Sequence, residues 1–288
     1  MARVVCVHGV GKQQLGEEQL LKDWLPALRD GLARAGAPGL LGADEVAMAY
    51  YGDLFLPPGR TLSGADPYPY LTAADVQPGW ETELLMAWWA AAAEAEPQVV
   101  GPGANGTLGG VGAPVQRGLL ALSQARFFAG MAERALISDL RQLRRYLREP
   151  EVRSAATARV QALIGPDTEA VVAHSLGSVV AYEALCALPG HRVRSFVTLG
   201  SPLGIPNLVF DRLLPEPADG RGAWPGGTAL TWTNVADARD VVALVKDLRP
   251  RFGDGVVCHL VPNGSHAHDA THYLGKAETG AALAAALR

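Results

Sequence analysis

Short apolar runs alternate with longer amphipathic stretches along most of the chain. The runs are rich in valine and bounded by Gly, Pro or Asp, a pattern typical of parallel strands that are buried on both faces. They predict strands at residues 3–10, 46–51, 169–174, 193–199, 229–235 and 256–261. The stretches between most of them predict helices at residues 17–34, 136–147, 176–188 and 279–287. This alternation predicts an α/β fold in which a mostly parallel central sheet carries helices on both faces.

The alternation is interrupted at residues 54–134, which we interpret as a helical cap or lid inserted into a single domain spanning 1–288. A predicted helix at 80–96 is followed by a glycine-rich segment at 101–112, a candidate hinge, and then by a second helix. The large aromatic residues of these two helices are Trp80, Trp88, Trp89, Phe127 and Phe128. Insertions of this kind lie above the carboxyl ends of the strands. We therefore expect these aromatic residues to form the core of the cap and to line a pocket there.

Composition narrows the class of protein without indicating a function. Of the 288 residues, 49% are hydrophobic and 19% are charged, which excludes an intrinsically disordered chain. The formal net charge of -4 gives no support for nucleic-acid binding, which usually shows as a basic excess. Cys6, Cys186 and Cys258 are too few and too scattered for a disulfide framework or a zinc site. No signal-peptide pattern and no bilayer-spanning apolar run is visible, so a cytoplasmic protein is expected.

The strongest functional signal is a valine-rich strand that ends at His174 and is followed at once by Ser175 and a helix. Ala173 and Gly177 stand two positions on either side of the serine. A turn this tight admits only small side chains there, and it lifts the hydroxyl clear of the sheet at the positive end of the helix. The segment resembles the nucleophile elbow, Gly-x-Ser-x-Gly, of the α/β-hydrolase superfamily, with Ala173 in place of the first glycine. An ordinary strand–turn–helix with a capping serine is the alternative.

The first strand leads into His8-Gly-Val-Gly11, a second segment that resembles the superfamily. In its lipases and esterases, a loop of this kind supplies part of the oxyanion hole. The resemblance implies that the backbone N–H groups of Val10 and Leu176 face the developing oxyanion. Two rival motifs fail: a dinucleotide-binding fingerprint needs glycine at Gln14, and a phosphate-binding P-loop needs Ser or Thr at Gln13.

The superfamily's order of catalytic residues, serine, then acid, then histidine, points to two later segments. Asp237 and Asp240 follow the strand at 229–235. Asp240 with its two following valines resembles the acid of many members and is favoured, while Asp237 remains the alternative.

Three histidines follow the last predicted strand: His266, His268 and His272. His268 is favoured as the base because it resembles the His-x-x-x-x-Tyr arrangement of some lipase-like bacterial hydrolases, while His272 and His266 remain alternatives. A metal site on His266, His268 and Asp269 is disfavoured, because the spacing departs from the His-x-His-x-Asp-His run of metallo-β-lactamase-like hydrolases and no further ligands follow. No metal and no cofactor are expected.

These resemblances imply a serine hydrolase, similar to bacterial esterases and lipases, that cleaves carboxylic esters through an acyl-enzyme on Ser175, with His268 as base and Asp240 as acid. The expected partner is a small-molecule or lipid acyl substrate. A thioesterase, an amidase or peptidase, and a catalytically silent binding module on the same fold remain alternatives. Arginines around 133–148 predict a solvated helix face, with peripheral contact to anionic lipid as the other reading. The sequence does not indicate an oligomeric state.

Overall fold

The computed structural model describes residues 2–56, 70–103, 113–125 and 133–288. Within these ranges, six parallel strands form one sheet in the order β2-β1-β3-β4-β5-β6. The strands are β1 (Val4–Val7), β2 (Val46–Ala49), β3 (Ala170–His174), β4 (Ser195–Leu199), β5 (Thr231–Ala236) and β6 (Val256–Leu260). All six predicted strands are therefore confirmed, each with bounds that differ by one to three residues at one or both ends.

The strand order contains one change of direction. From β1 the chain moves outward to β2, then returns to the other side of β1 and adds β3, β4, β5 and β6 in sequence. The carboxyl ends of β1 and β3 therefore lie side by side, with Val7 opposite Ala173. In open parallel sheets the crevice at such a switch point is where ligands bind.

Nine α-helices occur in the described ranges. They are α1 (Glu17–Arg34), α2 (Trp80–Ala95), α3 (Ala113–Gln124), α4 (Glu133–Arg148), α5 (Pro150–Leu163), α6 (Leu176–Cys186), α7 (Arg249–Phe252), α8 (Ala270–Leu274) and α9 (Ala277–Leu287). The predicted α/β class, with a parallel sheet covered on both faces, is confirmed. The periodicity missed α5, and the short α7 and α8 were not predicted. The helix α3 lies where a second helix of the insertion was predicted, directly after the glycine-rich segment.

The two sheet faces belong to two separate apolar cores. In β1, Val5 and Val7 join the core under α5 and α6, while Val4 and Cys6 join the core under α1 and α9. Side chains of a strand point alternately to opposite faces, so a strand that is covered on both sides is apolar at most positions. This explains why the strands read as largely apolar runs. The buried polar residues Thr198 of β4 and Asn234 of β5 are hydrogen-bonded to each other at 2.9 Å.

The helices α2, α3 and α4 pack on one another, and α4 also packs on α5, which lies against β1 and β2. The indoles are fixed by hydrogen bonds: Trp80 Nε1 donates to the Leu208 carbonyl at 2.8 Å and Trp89 Nε1 to the Val100 carbonyl at 2.7 Å. The predicted hinge at 101–112 lies mostly outside the described residues, and so do Phe127 and Phe128. Whether the inserted segment moves as a lid stays a prediction.

The arginines of α4 are largely neutralised by neighbouring carboxylates. The ion pairs are Arg141–Asp75 at 3.6 Å, Arg144–Glu81 at 2.7 Å and Arg145–Glu149 at 2.9 Å. Because these arginines are paired with carboxylates of the same chain, they are less available to bind anionic lipid. No helix in the described ranges is both long enough and apolar enough to cross a membrane.

Candidate active site

Ser175 sits at the sharp turn between β3 and α6. Its backbone has φ 54° and ψ −130°, a conformation that residues other than glycine rarely adopt. Two hydrogen bonds hold the turn: Ser175 N–H donates to the Leu199 carbonyl at 3.0 Å, and Ser178 Oγ donates to the Ser175 carbonyl at 2.6 Å. Ser178 Oγ also bonds to Ser201 Oγ at 2.7 Å, so the support extends to the loop after β4.

The small residues around the turn are required by close backbone approaches. A Cβ on Gly177 would lie 2.3 Å from the His8 carbonyl oxygen and 2.4 Å from that of Val7. A Cβ on Gly9 would lie 2.7 Å from the Ser175 Cβ. The loop after β1 and the start of α6 are thus pressed together, and any larger side chain at these glycines would separate them.

The buried Asp240 and the partly exposed His268 form a hydrogen-bonded pair beside this turn. His268 Nδ1 lies 2.8 Å from Asp240 Oδ2, which also accepts a hydrogen bond from the Tyr273 hydroxyl at 2.7 Å. The other oxygen, Oδ1, accepts the backbone N–H groups of Val242 at 2.9 Å and Ala243 at 3.2 Å. Both carboxylate oxygens are therefore saturated by donors that fix their position.

These contacts determine the charge of Asp240. Burial alone would raise the pKa of its carboxyl, but the neighbouring His268 and the hydrogen bonds from His268 and Tyr273 outweigh burial and lower that pKa. The group is fully inaccessible to solvent. A fixed carboxylate in this place orients the imidazole so that Nδ1 carries a proton and Nε2 is the nitrogen that can accept one.

The alternative acid Asp237 and the alternative bases His272 and His266 make other contacts. Asp237 accepts the backbone N–H of Arg239 at 2.7 Å and of Asn263 at 2.5 Å, so it ties two loops together. His272 Nδ1 lies 3.2 Å from Asp269 Oδ1, and its ring stacks on His266 at 4.5 Å. Asp269 is the N-cap of α8, where it accepts two backbone N–H groups.

Two further residues position the pair, and sequence patterns did not reveal them. Gly200, with φ 54°, ends β4, and a Cβ there would lie 2.7 Å from Asp240 Oδ2 and 2.9 Å from His268 Nδ1. His174 Nε2 is 2.8 Å from the His268 carbonyl oxygen, so Nε2–H donates to it. Burial, with a smaller effect of the His268 charge, lowers the pKa of His174 to about 3 and keeps that ring neutral. A glycine directly after a strand was the one available signal for Gly200.

Ser175 and His268 open onto the same cleft, which has a volume of about 500 Å³. Trp88 of α2 and Leu143 of α4 also line this cleft. Ser175 Oγ is buried and has no hydrogen-bond partner among the described residues, so its bond to the imidazole is not formed here. Bonds between catalytic groups are often long or absent until a substrate is bound.

The loop after β1 is fixed by His8. His8 Nδ1 donates to the Gly9 carbonyl at 2.7 Å and Nε2 accepts the Tyr51 N–H at 3.1 Å, while the Tyr51 hydroxyl donates to the His8 carbonyl at 2.5 Å. Burial lowers the pKa of His8 to about 4, consistent with this neutral tautomer. The N–H groups of Val10 and Leu176 donate to no described residue. They remain available to a ligand at Ser175.

The described part of the chain contains no disulfide bond and no group of side chains arranged as a metal site. All three cysteines are free thiols, and burial raises the pKa of Cys6 to about 12. No group of three or more His, Cys, Asp or Glu side chains in these ranges is arranged to hold a metal ion.

Comparison with known proteins gives no independent indication of function. No protein-family model matches the chain, and no curated protein or solved structure matches it. A functional assignment therefore depends on the site geometry.

Proposed function

We propose that this protein is a serine hydrolase of the α/β-hydrolase type that cleaves carboxylic esters through an acyl-enzyme on Ser175. One observation carries the proposal. A serine in a strained turn opens onto the same cleft as a histidine whose Nδ1 is hydrogen-bonded to a buried carboxylate. A serine that merely capped a helix would need neither the strain nor the Asp240–His268 pair.

The proposed reaction begins when Ser175 Oγ attacks the acyl carbonyl and His268 Nε2 takes its proton. The imidazolium is stabilised by Asp240, and it returns the proton to the leaving oxygen, so the alcohol departs and an ester forms on Ser175. Water then attacks this ester while the same nitrogen takes its proton. The free acid leaves and Oγ recovers its hydrogen.

Two backbone N–H groups would stabilise the tetrahedral intermediates of both steps. Val10 lies after the first strand and Leu176 is the first residue of α6, on the two sides of the switch point. Two donors held in place before reaction stabilise the oxyanion without reorganising, and each contributes roughly 3 kcal/mol to lowering the barrier. His8 keeps the first of these donors in position through its bonds to Gly9 and Tyr51.

The apolar side chains that line the cleft favour an acyl group with some hydrocarbon. The contributors include Val10, Leu20, Trp88, Leu143 and Val242. Esters are the proposed substrates, and thioesters or amides are the alternatives that use the same atoms. A catalytically silent binding module is the rival from another class, and the unbonded Ser175 Oγ is the observation that favours it.

The proposal is tested by the hydrolysis of p-nitrophenyl esters by Ser175→Ala. Loss of the nucleophile should lower kcat by at least about a thousandfold, because no other group can form the acyl-enzyme. Ser265→Ala is the matched control, since Ser265 lines the same cleft but lies on an exposed loop. Thermal unfolding of both variants checks that they fold. Ser175→Ala activity within tenfold of wild type would overturn the mechanism.

A further inference from the structure

A carboxyl group from α4 lines the same cleft as the proposed nucleophile. Asp139 lines the cleft together with Ser175 and His268, and Leu143, one helical turn later, lines it as well. The Oδ1 atom lies 3.4 Å from the position of a Cβ on Gly11, so the carboxyl adjoins the loop that carries Val10. It therefore lies in the part of the cleft next to the proposed oxyanion donor Val10.

Asp139 has no strong partner of its own among the described residues. Its one hydrogen bond there is from Gln142 Nε2 at 3.5 Å, the upper limit for such a bond. That amide is already bonded to Ser138 Oγ at 3.1 Å. No described cation lies within 4.0 Å of the carboxyl, although Lys12 and His268 are close enough to act on it electrostatically. A ligand that donates a hydrogen bond to a carboxyl group stabilises it more when that group has no strong hydrogen bond within the protein.

The acidity of the group agrees with this account. Burial raises the pKa of Asp139 to about 7, and the charges of Lys12 and His268 lower it only in part. A fully formed ion pair would have kept the carboxyl ionised well below neutral pH.

We propose that Asp139 is a specificity-determining residue that binds a primary ammonium group, so that the preferred substrates are acyl compounds with an amine near the scissile carbonyl. This inference rests on the proposed function, because Asp139 contacts a substrate only if the protein is a hydrolase. An ammonium group in the cleft would donate charge-assisted hydrogen bonds to Oδ1 and Oδ2, while its hydrocarbon part lies against Trp88 and Leu143. Lys12 is the competing cation, because its side chain lines the same cleft.

Binding of a cation that cannot be hydrolysed tests the inference without any catalysis. Hexylammonium and hexanol, which have the same chain, are titrated into the wild-type protein at pH 8 by calorimetry. Hexylammonium should bind at least about tenfold more tightly, the usual effect of a hydrogen bond to a charged group. Asp139→Asn should bring the two ligands within about twofold of each other. Asp23→Asn, which removes an exposed carboxylate from the same cleft, should leave the difference unchanged.

A second variant has the opposite expected sign. Lys12→Met removes the competing charge, so it should tighten hexylammonium binding severalfold and leave hexanol binding as it is. Equal binding of the two ligands to wild type, or an ammonium preference that survives Asp139→Asn, would overturn the inference. So would weaker hexylammonium binding in Lys12→Met. The Ser175→Ala assay is independent of these titrations, so hydrolysis and amine recognition can fail separately.

Discussion

At the scale of single residues, the candidate site depends on the strained backbone of Ser175 and on the fixed carboxylate of Asp240. Ser175 keeps a backbone conformation that costs of order 1–3 kcal/mol, and such strain persists only where the surroundings over-determine it. Here the surroundings are the hydrogen bonds of Ser175 N–H to Leu199 and of Ser178 to the Ser175 carbonyl. Beside the turn at Ser175, Asp240 receives four hydrogen bonds and gives the His268 ring one orientation.

Replacement of the two neighbouring histidines separates the proposed base from its alternative. His268→Ala should lower ester hydrolysis nearly as much as Ser175→Ala, and the double variant should be no worse than either, because the residues act as one unit. His272→Ala should stay within about threefold of wild type, since that ring bonds to Asp269 and stacks on His266. Steady-state kinetics of the four variants and the wild-type protein decides the matter. If His272→Ala were the inactive variant, the assignment of the base would be wrong.

The residues that could be found from sequence are those with a local signature. Ser175 was evident from a strand, a small residue on either side and a helix, all within a few positions. Asp240 and His268 could be narrowed to two and three candidates by chain order, but only the fold showed which carboxylate meets which imidazole. Asp139 had no signature, because it comes from a helix far away in the sequence that folds over the cleft.

At the level of elements, the strands were more predictable than the helices that join β2 to β3. A strand covered on both faces is apolar at most positions, so each one is visible as a run even where it contains a buried polar residue such as Asn234. In contrast, α5 contains only three buried residues, Val152, Ala156 and Val160, and has polar residues between them. Its stability comes from packing on α6 and the sheet, which no local pattern records.

Two adjacent tryptophans of α2 provide a matched test of the cleft wall. Trp88 lines the cleft, whereas Trp89 packs against Gly118 and donates to the Val100 carbonyl. If the acyl chain lies against Trp88, kcat/KM should rise with chain length by up to about fourfold per methylene, the equivalent of 0.8 kcal/mol. Trp88→Ala should flatten this dependence for acetate to octanoate esters.

Trp89→Ala should preserve the slope, although it removes as large a buried side chain. Both substitutions are expected to cost roughly 3–5 kcal/mol of stability, so the profiles are measured at low temperature on protein shown to be folded. Equal slopes in the two variants would show that Trp88 does not contact the acyl chain.

For the whole molecule, buried titratable groups link stability to pH in opposite directions. The pKa values of His8 and His174 are lowered to about 4 and about 3 by burial, so between about pH 4.5 and 5.5 the unfolded chain binds about two more protons through them than the folded chain does. Their contribution to stability is complete above about pH 6.5 and is lost as the pH falls. Asp139 acts oppositely: its pKa is raised to about 7, so in the same window the folded chain holds about one proton that the unfolded chain releases.

Asp139→Asn should therefore make the dependence of stability on pH steeper. Without the Asp139 proton, the free energy of unfolding should rise with pH by about 1.4 kcal/mol per unit more than in wild type between pH 5 and 6.5. Urea denaturation at four pH values in this window measures the difference, and the comparison cancels every group that the two proteins share. A slope that is unchanged or shallower in Asp139→Asn would mean that this carboxyl is ionised in the folded protein.

The central claim is that the fold activates one serine. It is tested most directly by exposing the folded protein to a fluorophosphonate and measuring the intact mass, followed by peptide mapping. One adduct should form on Ser175, because attack on phosphorus needs the histidine and the oxyanion donors and not merely an exposed hydroxyl. The urea-unfolded protein and Ser175→Ala should not react, and His268→Ala should react far more slowly. A folded wild-type protein that remains unlabelled, or that is labelled on another serine, would contradict the account.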